Sequence, residues 1–205
     1  SLINSVRPDI KTELTQAAIL KAKNEDFDIA EEIFTALHGL DPEDMGTILN
    51  LALFFDERAE SYRKSGLNED ADAYDEFAQS YYQRLLNQLN AEKEQKGILF
   101  PQVRKDEAEV VDKFLKVSNN LGVTLYRLAR RTGNSAMNAQ AMVNFQNSLR
   151  AWDSMTRNQQ SMTRLGGSNL AEQNIKYVIH PTPEYEPAIY TEIPGTLSCE
   201  EDFIK

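Results

Sequence analysis

The 205-residue chain has a net charge of −10 and a pI near 4.8, with 41% hydrophobic and 26% charged residues. That acidity argues against a general nucleic-acid binder, which needs clustered Lys and Arg to neutralise phosphate. No window approaches the roughly 20 unbroken apolar residues of a membrane span, residues 1–20 hold no signal-like apolar block, and the one cysteine, Cys199, excludes an internal disulfide framework and a thiolate zinc site.

Pro8 to Asp44 reads as two short helices. Leu14, Ala17, Ala18 and Ala22 recur at helical spacing, the polar run Asn24-Glu25-Asp26 interrupts them, and Ala30, Ile33, Phe34 and Leu37 resume the period. Gly39 and Asp41-Pro42 end the second helix, because proline lacks the amide donor and biases its predecessor away from helical angles. Residues 45–65 form a longer helix with Ile48, Leu51, Ala52, Phe55 and Ala59 on one stripe, closing near Ser65-Gly66. The next runs from after Asn68-Glu69-Asp70 to about Gln95, with Tyr74, Phe77, Ala78, Tyr81, Leu85 and Leu89 expected on its buried face.

A third pair follows. Val110, Phe114, Val117, Leu121, Gly122, Leu125 and Leu128 mark a helix over about 105–131, and Ala141, Phe145, Leu149 and Trp152 mark another reaching about Met155 or beyond. Asn50-Leu51-Ala52 and Asn120-Leu121-Gly122 are equivalent mid-helix triplets, whose small residue lets antiparallel helices approach closely. Asn169-Leu170-Ala171 is different: with Gly166-Gly167 ahead and Glu172 three residues on, Asn169 reads as the N-cap of a short closing helix over about 170–178. Beyond Tyr177 lie four of the seven prolines (Pro181, Pro183, Pro187, Pro194), so residues 180–205 are expected to be extended or irregular. The tail is either a linker or an ordered strap. Its tyrosines and Ile179, Ile189 and Ile193 favour a strap packed on the helices.

The segment Ile19 to Leu37 with Leu40-Asp41-Pro42, in which Ala30, Phe34 and Pro42 hold spacings of four and twelve, resembles the tetratricopeptide repeat. Ala18 and Ala52 stand 34 positions apart, matching that family's period of about 34 residues. The resemblance covers residues 11–44 most fully, extends to 45–82 and 115–153, and stops before the tail. The departures are a stretched second unit, with 70 positions from Ala52 to Gly122, and Trp152-Asp153 where the third unit's proline would stand. The resemblance implies an all-α chain of antiparallel helix hairpins stacked as a short right-handed solenoid over residues 1–179. Its units are about 9–44, 45–96 and 105–158, with a capping helix about 169–179 and a proline-rich extended tail over 180–205.

Catalytic signatures are missing from the sequence. His38 and His180 lack a second ligand at metal spacing, Gly166-Gly167-Ser168 lacks the lysine of a phosphate loop, and Cys199 sits among acids that do not favour a thiolate. Glu31-Glu32, Asp56-Glu57 and Asp75-Glu76 read as solvated faces of an acidic protein. The chain is therefore expected to be no enzyme, with no metal and no cofactor.

What remains is surface, and charge divides it: residues 1–112 sum to −12, residues 113–180 to +7 and residues 181–205 to −5. The family's first helices line a concave face where peptides dock. On that face this chain offers Asn119, Val123, Tyr126, Arg127 and Arg130 from the third unit, and Asn50, Leu53, Asp56 and Glu57 from the second. The expected function is a protein–protein interaction scaffold that binds a peptide or extended segment, acidic or carboxylate-bearing near Arg127, or its own tail. An accessory protein carrying a small molecule or lipid between lengthened helices is the alternative, motivated by those helices and by Tyr81-Tyr82.

Overall fold

The computed structural model describes residues 9–98, 104, 107–163, 169–182 and 186–194. Among these residues there are eight helices and no strand, so the all-α class stands. They are α1 (Ile10–Lys23), α2 (Phe27–Leu40), α3 (Met45–Lys64), α4 (Asn68–Lys96), α5 (Ala108–Thr132), α6 (Ser135–Asp153), α7 (Arg157–Met162) and α8 (Leu170–Ile179). Each of α1 to α5 packs on the next in chain order, and α8 folds back on α6 and α5. No helix among the described residues is long and apolar enough to cross a membrane.

Local chemistry sets most boundaries. Asp44 caps α3 by accepting from the Thr47 amide, and Asn134 caps α6 by accepting from Met137. Long helices α4 and α5 stop at Gly97 and Gly133, whose φ angles of 65° and 68° are left-handed and suit a residue without Cβ. Asn169 caps α8, its Oδ1 accepting from the Ala171 amide at 2.7 Å. The sequence reading missed α7. Its signal was present in Thr156 and Gln159, a capping box in which each side chain satisfies the other's backbone amide, so α6 ends at Asp153 and the chain turns through Ser154.

The buried face of α4 also needs correction. Ala78, Leu85 and Leu89 are buried as expected, but the first half of the helix turns Ala71, Asp75 and Tyr82 inward. Tyr74 and Tyr81 are only half-buried and Phe77 is 51% exposed. Apolar periodicity favoured the aromatic stripe because it ranks a carboxylate last for burial. An arginine of α3 makes burial of Asp75 tolerable.

Helix α5 is enclosed along most of its length, on polar and apolar positions alike: Ser118, Asn119, Asn120 and Thr124 are as buried as Leu121 and Val123. It meets the Phe145 ring of α6 at Gly122. A Cβ there would lie 2.6 Å from Cε1 of the buried Phe145 ring, so this crossing requires glycine.

Candidate functional site

Two polar systems converge on α5. The first joins α3, α4 and α5 through charges. Arg127 of α5 donates to Asp56 of α3 at 2.9 Å and lies 3.3 Å from Glu60, while Tyr82 of α4 donates to the other Asp56 oxygen at 2.9 Å. Arg63 of α3 pairs with Asp75 of α4 and, at 3.1 Å, with Glu60. Asp56 and Asp75 are fully buried. Burial pushes the Asp56 carboxyl up from its ordinary value, opposed by Arg127 and the Tyr82 hydroxyl. Burial likewise lifts Asp75 to about 7, against the pull of Arg63 and Arg127. Tyr82 is driven well above the usual phenol range by burial and by the Asp56 charge, so it stays a hydroxyl and donates. Arg127 loses by burial but gains more from Asp56, Asp75 and Glu60, which fix it as a guanidinium.

The second system holds the tail. Residues 186–194 run without regular secondary structure beside α5 and α8. Asn120 pairs with Tyr190 through both backbone groups, accepting from its amide at 2.7 Å and donating to its carbonyl at 2.8 Å. Asn174 of α8 does the same with Ala188, at 3.1 Å each way. Asn119 donates to the Ala188 carbonyl at 3.0 Å and accepts from Asn174 at 2.8 Å. Residues 188 and 190 thus present their backbone groups to one side, as alternate residues of an extended chain do. Tyr190 is buried, and its hydroxyl accepts from the Leu170 amide at 2.6 Å and donates to Asn169 at 3.2 Å, bracing the start of α8. Ile193 is buried further along. Asn120 also donates to the Tyr82 hydroxyl at 3.3 Å, so tail and charge network form one continuous chain of hydrogen bonds.

These contacts locate the residues singled out from sequence. Asn119, Val123, Tyr126 and Arg127 do lie together along α5, but inside the molecule. Tyr126 meets Tyr177 of α8 edge-on at 5.9 Å between ring centroids, and the exposed Arg130 donates to the Tyr177 hydroxyl at 3.1 Å. Asn50 is buried on α3, whereas Glu57 is turned to solvent. Asp56 joins the α5 group through Arg127 and Glu57 does not, since adjacent helical positions point about 100° apart. Of the carboxylate pairs read as solvated faces, Asp56 and Asp75 depart from that reading, while Glu57 and Glu76 fit it.

Compared with known proteins, the chain matches no family model, no curated protein and no solved structure. Its site is therefore read from geometry. Among the described residues no group of three or more His, Cys, Asp and Glu side chains is placed to hold a metal ion. His38 packs edge-on against Tyr81 and lies 3.1 Å from an Arg84 guanidinium nitrogen, a setting that, with burial, lowers its pKa. Tyr81 and Tyr82 point apart, one stacked on Phe55 and the other bonded to Asp56. Gly166-Gly167-Ser168 and Cys199 lie outside the described residues.

Asn174 and the pairing role of Asn120 escaped the sequence reading. A signal existed, because asparagine is a poor residue for a helix interior and its amide competes with the backbone. Consecutive Asn119-Asn120 in the middle of an apolar helix is costly unless both amides have partners.

Proposed function

We propose that this chain is an interaction scaffold, a short right-handed solenoid of tetratricopeptide type, whose groove along α5 and α8 binds an extended segment. In the conformation described, its own residues 186–194 fill that groove. One observation carries the reading: Asn120 and Asn174 each engage both backbone groups of residues two apart in the tail. An asparagine amide offers a donor and an acceptor side by side, matching the N–H and C=O of one extended residue. Such a ladder reads backbone rather than side chains, so any extended segment can satisfy it, and selectivity comes from the enclosures taken by Tyr190 and Ile193. The partner class is thus a peptide segment with an aromatic residue at the Tyr190 position and an aliphatic one three residues later. Arg127 uses its guanidinium on Asp56 and Glu60, so the reading rests on the asparagines and not on a carboxylate in the guest.

Tyr190→Ala weakens the internal segment and leaves the asparagines in place. Added peptide Glu-Pro-Ala-Ile-Tyr-Thr-Glu-Ile-Pro, labelled with fluorescein, is expected to bind Tyr190→Ala by anisotropy and to bind the parent chain far less. Combining Tyr190→Ala with Asn174→Ala should weaken that binding about tenfold, the equivalent of roughly 1.4 kcal/mol. A Tyr190→Ala chain that keeps its helicity yet fails to bind the peptide, or binding indifferent to Asn174→Ala, rejects the proposal.

A further inference from the structure

We infer that the face shared by α2 and α4 docks an arginine- or lysine-bearing segment of a partner protein. This surface is separate from the tail groove and does not depend on it. Tyr74, Phe77 and Tyr81, at positions i, i+3 and i+7 of α4, lie on one side of the helix around the buried Phe55, with centroids 5.7, 5.2 and 5.7 Å from its ring. They form a continuous aromatic surface in which Phe77 is half-exposed.

Carboxylates border it. Glu31 of α2 meets the Tyr74 hydroxyl at 3.4 Å, and Asp28, Glu31 and Glu32 line one open groove along α2. Aromatic faces carry negative potential, so rings and carboxylates together favour a cation and disfavour an anion. The net charge of −12 over residues 1–112 adds a long-range attraction of the same sign.

The chain's own cation chooses this surface. Arg58 of α3 places its guanidinium 4.0 Å from the Phe27 centroid, 4.6 Å from Tyr62 and 5.7 Å from Tyr74, at one end of the aromatic row. At the other end Arg84 is held by the Pro42 carbonyl at 2.9 Å and by His38. Along α4 the exposed Phe77 stands between Tyr74, which touches both Arg58 and Glu31, and Arg84. A guest guanidinium over Phe77 would repeat the Arg58 contact.

The test titrates the isotopically labelled full chain with acetyl-(Gly-Arg)3-amide, and separately with the same peptide carrying citrulline, arginine's uncharged near-isostere, and follows backbone amide resonances. The arginine peptide should shift resonances around Glu31 and Phe77 in a saturable way, with the citrulline peptide at least about tenfold weaker. Phe77→Ala and Glu31→Gln should each weaken binding about threefold or more, as expected for one exposed cation–ring or charge contact. Phe77 is half-exposed and Glu31 is partly exposed, so both variants should keep parental helicity by circular dichroism. Equal binding of the citrulline peptide, shifts confined to other acidic helices, or affinity unchanged in both variants would each overturn the inference.

Discussion

The α1–α2 hairpin and the α3–α5 interior both contain arginine or lysine bridging two carboxylates, yet the settings differ. Lys11 reaches Asp41 at 3.2 Å and Asp44 at 3.3 Å, with the three side chains 27 to 39% exposed. Arg127 reaches Asp56 and Glu60 at similar distances, but it is 14% exposed and Asp56 only 1%. Where water can replace a lost partner, the pair does little; where it cannot, each member becomes a condition for the other's burial. The hairpin is held chiefly by Ala18, Ala30, Phe34 and Leu37 packing dry, whereas the interior depends on polar groups that satisfy one another.

The strongest way to break this comparison is to delete both cations. Arg127→Ala leaves the buried Asp56 without its cation and should lower stability by about 3–5 kcal/mol, while Lys11→Ala should cost no more than about 1 kcal/mol. Urea unfolding followed by circular dichroism measures both. Similar losses in the two variants would mean that burial does not distinguish the regions.

Glycine sharpens the same contrast at a smaller scale. Gly122 faces the Phe145 ring, and the Cβ of Gly122→Ala would approach two ring carbons at 2.6 and 2.7 Å. The ring is fully buried and cannot swing away freely, so a loss of about 1–3 kcal/mol is expected. Gly39, near the end of α2, has no atom within 4 Å of the corresponding position. Gly39→Ala should instead stabilise by up to about 0.5–1 kcal/mol, through helix propensity alone. Thermal midpoints moving in the same direction for both would contradict the packing assigned to Gly122.

Legibility follows the same division. The hairpin could be read directly, because alanine and aromatic positions at helical spacing, a polar turn and a proline stop are all local signals, and α1 and α2 fall where those signals put them. Gly122 was legible as a close approach for a similar reason. The interior was not. Nothing near Asp75 in sequence announces Arg63, which lies twelve positions away on another helix, and nothing near Asn120 announces Tyr190, seventy positions on. Apolar periodicity has no term for a carboxylate whose partner arrives from a distant segment, so it placed the aromatic stripe of α4 inward and left Asp75 outside. Asn119, Val123, Tyr126 and Arg127 share one helix, as their spacing requires, but sequence could not show that α8 and the tail lie over α5. Burial of this kind depends on which segments return.

The two regions should also respond to pH with opposite signs. Burial raises Asp75 to about 7, so between about pH 4 and 7 the folded chain holds a proton that the unfolded chain has released. Stability from this group therefore falls as pH rises through that window and is level above it. Asp44 behaves in reverse. Burial alone would raise it, but hydrogen bonds from Thr47 and the charge of Lys11 hold it below its ordinary value, so its contribution is present above about pH 4 and lost as pH falls. His38, lowered by burial and Arg84, contributes stability that rises with pH below its ordinary value and would mask the trend in the parent chain. Subtraction removes it, because Asp75→Asn leaves His38 in place. The stability of Asp75→Asn minus that of the parent should climb from pH 4 to 7 and then level, as measured by urea midpoints at half-unit steps. A difference that stays constant across this range would mean that Asp75 is ionised throughout, its charge fully compensated by Arg63.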